Sequence, residues 1–378
     1  MRAGLRSERL LGQRTLHGRY DLQELPARRH ALKAWLCSWP MKQLVEALCA
    51  PACEGRAAGT AGGRRARGLV RDALREAGLD PAEQRIGRSN HRNGSQGANL
   101  VATMPGEIDR WVLVAAHYDH LGQSGSQYYP GADDNAAAVA ILVDVARGLA
   151  KTKAKGRGVI IAAFDAEEPP YFRTGEMGSA WYAKHASEVG PSLDRIDMMV
   201  CMDLVGHALG PEGLPPELRG TLFALGAERS EGTGTIVDAM GTSEEGLFVR
   251  RADAEIIPPL SDYDAFWKRE IPFLFLTGGR SARYHTPADT PEHLDWTKMS
   301  ATARWLERYV RATCAREHTR IEFRNRRDDA STLRSIAAIA PQLPVGDLLQ
   351  ACDANGQLPD ALANAPAGLI EMIEQALA

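Results

Sequence analysis

Apolar runs of strand length alternate with segments of helical periodicity along most of the chain. The segments that predict helices are residues 31–48, with a break at Pro40, and residues 69–77, 135–150, 175–186 and 297–315. The runs that predict strands are residues 98–104, 110–117, 158–168, 196–207 and 271–279. Such alternation is typical of an α/β sandwich with a largely parallel sheet.

The first two predicted strands are separated by a short turn. Pro105 and Gly106 lie in this turn, so residues 98–104 and 110–117 are expected to pair directly with each other. Residues 158–168 and 196–207 are instead continuous apolar runs. We expect these later runs to form strands that are buried on both faces of the sheet.

The character of the sequence changes towards its C-terminus. Residues 316–329 are highly charged, although Ile321 and Phe323 alternate as in an edge strand. The residues that follow predict short helices broken by prolines. We therefore expect a mostly helical extension after the α/β domain.

Composition narrows the classes of protein to consider. The chain has 378 residues, of which 44% are hydrophobic, which is enough for one large domain with appendages. The formal net charge of −3 gives no reason to expect a nucleic acid or an anionic membrane as the partner. Because no apolar run reaches about eighteen residues, no transmembrane helix is expected.

Neither the N-terminus nor the cysteines indicate export. The first residues are basic but have no long apolar core and no small-residue cleavage site, so no secretory signal is predicted. We expect a cytoplasmic protein, or a secreted or periplasmic one whose leader is missing from this chain. The six cysteines are scattered without a CxxC pair. A disulfide framework is not expected, and a metal site should rest on histidine and carboxylate side chains.

Acidic and histidine residues gather at the carboxyl ends of the predicted strands, where ligand sites form in α/β sheets. They are His117, Asp119, Asp133, Asp134, Glu167, Glu168, Asp203 and His285. Taken singly, each has an ordinary structural explanation: Asp133 or Asp134 could cap the next helix, and Asp203 could form a turn. Their succession at one strand end after another favours a zinc site, with cobalt or manganese as alternatives. A two-metal site would need one bridging carboxylate and one free glutamate as base.

Five short motifs carry a resemblance to a known family. They are HYDHLG at 117–122, GADDNAAAVA at 131–140, DAEE at 165–168, MDLVG at 202–206 and YHTPADT at 284–290. In this order they resemble the motifs of the zinc exopeptidases, which include double-zinc aminopeptidases, glutamate carboxypeptidase II and, more distantly, glutaminyl cyclase. The resemblance covers about residues 50–315. It implies a three-layer αβα sandwich with a mixed, largely parallel sheet.

The residue pattern and the extent of the resemblance together divide the chain into three predicted parts. Residues 1–48 would form an N-terminal helical segment, residues 49–315 the catalytic domain, and residues 316–378 the helical extension. The resemblance further implies two zinc ions at the strand ends. One would be held by His117 and Asp203, the other by Glu168 and His285, and Asp134 would bridge the two. Spacing alone leaves a swap between Asp133 and Asp134 open.

Three further residues receive roles through the same resemblance. Glu167 would be the general base, Asp119 would orient the histidine two residues before it, and Tyr284 would help to hold the oxyanion. His120 and His207 are expected to flank the site without binding metal. The segment at 167–179, EEPPYFRTGEMGS, is longer than the usual link in this family and could reshape the substrate pocket.

The expected function is hydrolysis of peptide bonds by a metal-activated water, in an aminopeptidase that acts on peptides. Arg280 and Arg283 lie close in sequence to His285. They keep a carboxypeptidase or dipeptidase open, because an arginine can bind the terminal carboxylate of a substrate. Glutaminyl cyclase is a second alternative, and a non-enzymatic member of the fold is a third. The complete ligand sets and the base favour hydrolysis, and no oligomeric state is predicted.

Overall fold

The computed structural model describes residues 40–87 and 97–377. Most of the predicted N-terminal helical segment, residues 1–39, lies outside the described residues. Residues 40–49 form helix α1.

The elements after α1 alternate largely as the sequence predicts. The other α-helices are α2 (Ala61–Glu76), α3 (Ala137–Ala150), α4 (Gly178–His185), α5 (Pro216–Arg219), α6 (Thr233–Met240), α7 (Asp264–Trp267), α8 (Trp296–Cys314), α9 (Asp329–Ile339), α10 (Gly346–Ala351) and α11 (Ala365–Leu377). The strands are β1 (Ala82–Arg85), β2 (Ala98–Met104), β3 (Ile108–His117), β4 (Gln123–Ser124), β5 (Gln127–Tyr128), β6 (Arg157–Phe164), β7 (Ile196–Met202), β8 (Thr221–Leu225), β9 (Phe248–Ala252) and β10 (Phe273–Thr277). None of the described helices is both long and apolar enough to cross a membrane.

Eight strands form one mixed sheet in the order β1-β2-β6-β3-β7-β10-β8-β9. Strands β6, β3, β7 and β10 run parallel to one another at its centre, and β8 runs parallel to β9. Antiparallel pairs join β1 to β2, β2 to β6 and β10 to β8. The predicted α/β fold with a mixed, largely parallel sheet is therefore confirmed.

Helices cover both faces of this sheet. Residues of α2, α3 and α8 pack on one face, in a core that includes Val114 and Ile161. Residues of α4 and α7 pack on the other face, in a second core that includes Ile160 and Phe273. Neighbouring residues of one strand, such as Ile160 and Ile161, thus belong to opposite cores. This arrangement requires the central strands to be apolar along their whole length.

The predicted direct pairing of β2 with β3 is wrong, because β6 lies between them. Each of the two strands pairs with β6 along most of its length. All 8 residues of β6 are buried, and a strand this apolar buries most surface when it pairs at both edges in the centre of a sheet. The turn through Pro105 and Gly106 passes the start of β6 closely, since a Cβ on Gly106 would lie 2.3 Å from the backbone oxygen of Gly156.

The C-terminal residues form short helices, as predicted, and α9 lies against β9. The N–H of Asp253 donates to Thr332 Oγ1 at 2.8 Å, and Arg251 pairs with Asp328 at 2.6 Å. Phe323 forms a single bridge opposite Ser230 instead of the expected edge strand. The division of the chain at residues 48 and 315 stays a prediction.

Candidate metal centre

The candidate site residues lie on loops at the carboxyl ends of the central parallel strands. They are His117 at the end of β3, Asp134 in the turn before α3, Glu167 and Glu168 after β6, Asp203 after β7 and His285 after β10. Because β6, β3, β7 and β10 are parallel neighbours, these ends meet at one edge of the sheet. Residues that are far apart in sequence are therefore brought together.

Three carboxylates surround the imidazole of His117. Its Nε2 lies 3.5 Å from Asp134 Oδ1 and 3.6 Å from Asp203 Oδ1. Glu167 Oε2 is slightly farther away, at 3.9 Å. All four side chains are buried. His117, Glu167 and Asp203 each offer an atom that could bind the same metal ion.

A second cluster forms around Glu168. His285 Nε2 lies 3.3 Å from Glu168 Oε2 and 3.1 Å from Asp134 Oδ2. His120 Nδ1 lies 2.9 Å from the other oxygen of Glu168, Oε1, and 3.8 Å from Asp134 Oδ2. The carboxylate of Asp134 therefore faces both clusters, with Oδ1 towards His117 and Oδ2 towards His285.

Both clusters have the spacing and the unsatisfied atoms of a metal site. Four buried atoms in them have no hydrogen-bond partner among the described residues: His117 Nε2, His120 Nε2, Glu167 Oε1 and Asp203 Oδ1. Buried polar atoms without partners are costly unless a ligand satisfies them. Tetrahedral zinc bonds of about 2.0–2.1 Å separate ligand atoms by about 3.3 Å. Because the measured separations run from 3.1 Å to 3.6 Å, these donors fit zinc.

Asp133 points away from both clusters. Its Oδ2 lies 2.6 Å from His207 Nδ1, and its Oδ1 accepts hydrogen bonds from the N–H groups of Gly206 and His207 at 2.7 Å and 3.1 Å. Asp289 holds the same turn by accepting the N–H groups of Asp133 and Asp134 at 2.9 Å and 3.0 Å. These contacts direct the Asp134 side chain, and not that of its neighbour, towards the ligand atoms.

Asp119 shapes the turn that carries the two glutamates. Its Oδ1 accepts the N–H of Glu167 at 3.1 Å, and its Oδ2 accepts the N–H of Glu168 at 3.2 Å. His117 Nδ1 lies 3.3 Å from the backbone oxygen of Asp119 and 3.6 Å from Asp119 Oδ1. Asp119 therefore contacts the ring of His117 through its main chain, while its carboxylate fixes the backbone of the double-glutamate turn.

Burial and mutual repulsion shift the pKa values of the site. Burial raises the pKa of Glu167 well above its usual range. Burial, and then the charge of Glu168, raise the pKa of Asp134. Burial disfavours the charged form of His285, but hydrogen bonds to Asp134 and Glu168 outweigh it and raise the pKa of His285 to about 9. The clusters thus concentrate negative charge that a bound cation would offset.

Tyr284 and Arg280 form a stack beside the second cluster. The ring of Tyr284 lies on that of His285, with centroids 3.8 Å apart and planes inclined by 18°. The guanidinium carbon of Arg280 lies 4.8 Å from the centre of the Tyr284 ring, a distance that suits a cation–π contact. Burial raises the pKa of Tyr284, so the phenol keeps its proton and can donate a hydrogen bond.

Two acids close to the clusters, Asp262 and Asp289, are not among the residues that the sequence predicts for the site. Asp262 is fully buried, burial raises its pKa to about 7, and its charge adds to the rise in the pKa of Glu167. Asp289 fastens the turn of Asp134, as described above. In the sequence, Asp262 lies in SDYD, before the last central strand, and this place could have indicated a residue near the site. Asp289 lies in the YHTPADT motif together with His285, which could have indicated the same.

Comparison with known proteins identifies the family. Residues 99–310 match the profile of peptidase family M28, over more than half of the chain. The chain belongs to peptidase family M28. The resemblance to zinc exopeptidases that the motifs carry is thereby confirmed, and the protein is a zinc metallopeptidase of the hydrolase class.

Proteins similar to this M28 peptidase include an uncharacterized protein, a cyclotransferase and an aminopeptidase. YfbL of Escherichia coli, described as uncharacterized, is 31% identical over 223 residues, which cover 53% of this chain and 67% of YfbL. Glutaminyl-peptide cyclotransferase of Drosophila melanogaster is 30% identical over 115 residues, 29% of this chain and 32% of the relative. The crystal structure of LapA aminopeptidase from Legionella pneumophila has a TM-score of 0.58 at 16% identity and covers 79% of this chain and 78% of LapA, which shows a shared fold. The chain thus spans about a third of the cyclotransferase and two thirds of YfbL.

Zinc affinity of the metal-free M28 peptidase is expected to rise with pH up to about pH 9. His285 holds its proton until the pH passes its pKa of about 9, and a ligand histidine must lose this proton before it binds metal. Each proton released raises the apparent affinity by about tenfold per pH unit. Calorimetric titration with zinc at several pH values between about 7 and 9 measures both the affinity and the protons released. An affinity that stays flat over this range would contradict a His285 that is protonated in the metal-free protein and loses this proton when zinc binds.

Proposed function

We propose that this M28 peptidase is an aminopeptidase that uses two zinc ions together to hydrolyse the N-terminal peptide bond of its substrates. One observation carries the proposal: the two oxygens of Asp134 face different imidazoles. Oδ1 lies 3.5 Å from His117 Nε2, and Oδ2 lies 3.1 Å from His285 Nε2. A carboxylate that faces two ligand clusters can bridge two metals about 3.5–4 Å apart.

These distances support the ligand assignment that the resemblance to the zinc exopeptidases implies. His117 and Asp203 would hold one zinc, Glu168 and His285 the other, and Asp134 both. Cobalt or manganese could replace zinc at such a nitrogen and oxygen donor set. His120 contacts Glu168 Oε1 at 2.9 Å, which leaves Oε2 facing His285. When bound, zinc would lower the pKa of a water molecule and polarise the scissile carbonyl.

Glu167 is the proposed general base. It takes a proton from the attacking water and later returns it to the leaving amine. Its Oε1 is buried without a hydrogen-bond partner among the described residues, and Asp119 fixes its backbone at 3.1 Å. Tyr284, as a protonated phenol, donates a hydrogen bond to the substrate oxygen on which negative charge develops.

Arg280 supports a second candidate function, a carboxypeptidase or dipeptidase. Its guanidinium lies over Tyr284, next to His285, and within the described part of the chain it forms no ion pair. A free guanidinium at this place could bind a substrate carboxylate. Aminopeptidase and carboxypeptidase therefore differ in whether Arg280 contributes to substrate binding.

Aminoacyl p-nitroanilides are expected to be cleaved, whereas N-blocked dipeptides with a free carboxylate are not. Arg280→Leu should then change kcat/KM for the nitroanilides by no more than about threefold, because the substrate presents no carboxylate to it. In a carboxypeptidase the same substitution would lower kcat/KM for dipeptides by about 10- to 100-fold, since one charged hydrogen bond is lost. Steady-state kinetics on both substrate classes decide between the two, with Arg269→Leu, an exposed arginine outside the clusters, as the matched control.

The similarity to a glutaminyl-peptide cyclotransferase gives a third candidate. A cyclase with one functional zinc would contain about one metal per chain and would cyclise peptides that begin with glutamine. The aminopeptidase proposal expects about two zinc ions per chain and no cyclisation. Metal analysis of the purified protein, together with a cyclisation assay, measures both quantities. One metal with cyclisation would replace the aminopeptidase proposal.

A further inference from the structure

Arg56 is a fully buried arginine that donates hydrogen bonds to backbone carbonyl oxygens. Its Nε donates to the oxygen of Tyr118 at 2.8 Å, and its Nη2 donates to the oxygen of Asp134 at 3.1 Å. The same guanidinium also donates to the oxygens of Pro130 and Gly131. One side chain therefore contacts the carbonyl of the proposed ligand Asp134 and carbonyls within four residues of His117 or Asp134.

The guanidinium has no carboxylate partner within residues 40–87 and 97–377. Burying a guanidinium in this way is costly, because hydrogen bonds alone must offset its desolvation. Its planar fork directs five N–H donors along fixed lines. The side chain therefore sets a fixed spacing between the carbonyl oxygens that it joins.

These carbonyls belong to two loops that carry ligands of both clusters. Tyr118 lies between His117 and Asp119, at the end of β3. Pro130 and Gly131 lead into the turn that ends with Asp134, whose own backbone oxygen accepts from Arg56. Since Asp134 Oδ1 lies 3.5 Å from His117 Nε2, the spacing of these loops also sets the spacing of the ligand atoms.

The backbone that carries Arg56 is itself fixed against the first loop. Gly55 has a positive φ of 66°, and a Cβ at this position would lie 2.1 Å from the backbone oxygen of Gly122. The N–H of Gly122 donates to the oxygen of Gly55 at 2.9 Å. After this contact the chain enters α2, whose first turn is capped by Thr60. Arg56 is thus held from both sides while its side chain joins the two loops.

We infer that Arg56 is a positioning residue for the metal centre, which holds the loop of His117 and the turn of Asp134 at the separation that metal binding requires. The inference rests on the proposed metal-dependent function. It predicts that a change at Arg56 weakens metal binding beyond any effect on the stability of the fold. A purely structural arginine would change stability alone.

Arg56→Lys tests this role against a matched control, Arg157→Lys. Lysine keeps the positive charge but replaces the planar fork with donors on one nitrogen. Arg157 is also fully buried, and it contacts Asp197 at 2.7 Å and the backbone oxygens of Arg316 and Glu317. It begins β6, about 25 Å of strand away from the turn of Glu167. Both variants therefore disturb contacts between a buried guanidinium and backbone carbonyls, at different distances from the metal centre.

The zinc dissociation constant of Arg56→Lys is expected to increase by about 10- to 100-fold, as is usual when a residue that orients ligands is lost. Arg157→Lys should stay within about twofold of the unaltered protein. Both are measured by chelator competition on the full chain. Cobalt substitution gives an independent readout, because its visible absorption depends on ligand geometry. We expect this spectrum to change in Arg56→Lys and not in Arg157→Lys.

Several outcomes would overturn the inference. An unchanged dissociation constant in Arg56→Lys would do so, and so would equal weakening in both variants, which would indicate general loss of the fold. If the unaltered protein itself binds no zinc, the proposed function fails together with the inference. If Arg56→Lys does not fold, Gly122→Ala displaces the segment that carries Arg56 while the arginine is retained, because its Cβ would lie 2.7 Å from the Cβ of Ala57. Unchanged zinc binding in that variant would also refute the role of Arg56.

Discussion

Glu167→Ala is expected to lower kcat by about 10²- to 10⁴-fold while zinc remains bound. The reason is that alanine removes the group that accepts the proton of water, while the proposed ligands of both clusters stay in place. His117 Nε2 still faces Asp134 and Asp203 at 3.5 Å and 3.6 Å. Turnover of an aminoacyl p-nitroanilide and the metal content of the same sample provide the measurement.

The metal content of this variant separates two roles for the carboxylate. Glu167 Oε2 lies 3.9 Å from His117 Nε2, so the side chain is close enough to be a ligand as well as a base. Loss of one zinc in Glu167→Ala would contradict the role of base and assign Glu167 to the ligands. Turnover equal to that of the unaltered protein would contradict both roles. Glu188→Ala, at an exposed glutamate, is the matched control and should leave both quantities unchanged.

The central strands could be predicted from sequence because they are buried on both faces. β6 and β7 are buried at every position, so their apolar runs are continuous. β1 has a single buried residue, and β9 includes the partly exposed Arg250 and Arg251. Strands at or near the edges of a sheet keep polar residues, and their hydrophobic pattern is too weak to recognise.

Strand order was harder to predict than strand position. The hydrophobic pattern gives the same signal whether β2 pairs with β3 or with β6, since both arrangements bury the same residues. Proximity in sequence favoured a direct turn through Pro105 and Gly106. Placing the fully buried β6 between two partner strands increases the apolar surface that the whole sheet buries. A local sequence pattern contains no information on this surface, so it could not predict the order of the strands.

The candidate ligands could be found because each follows a predicted strand, where a side chain must point into the common edge of the sheet. The supporting residues Arg56 and Asp289 do not stand directly at the end of a predicted strand. Asp289 acts through two backbone N–H groups of a turn that lies far away in sequence, and Arg56 acts through carbonyl oxygens. Contacts to the backbone do not depend on the identity of the residue contacted. The identity of the residue whose backbone is contacted therefore does not indicate that such a contact forms.

Asp134→Ala is expected to have the largest effect, with loss of metal from both clusters and a fall in activity of more than about 10³-fold. Its two oxygens face His117 at 3.5 Å and His285 at 3.1 Å. A single substitution therefore removes a ligand atom from each cluster, whereas His285→Ala removes an atom from the second cluster alone. Metal analysis of both variants by mass spectrometry, with activity on the same samples, measures the difference.

Asp133→Asn is the matched control, because it alters the neighbouring carboxylate on the same turn. Its side chain contacts His207 and the N–H of Gly206, away from the ligand atoms. Burial raises the pKa of Asp133, but the charge of His207 and their hydrogen bond outweigh it and lower that pKa. The substitution should therefore reduce stability through the lost ion pair while zinc content stays unchanged. If Asp133→Asn lost both metals and Asp134→Ala kept them, the bridging role would belong to Asp133, and the assignment of the two neighbours would have to be exchanged.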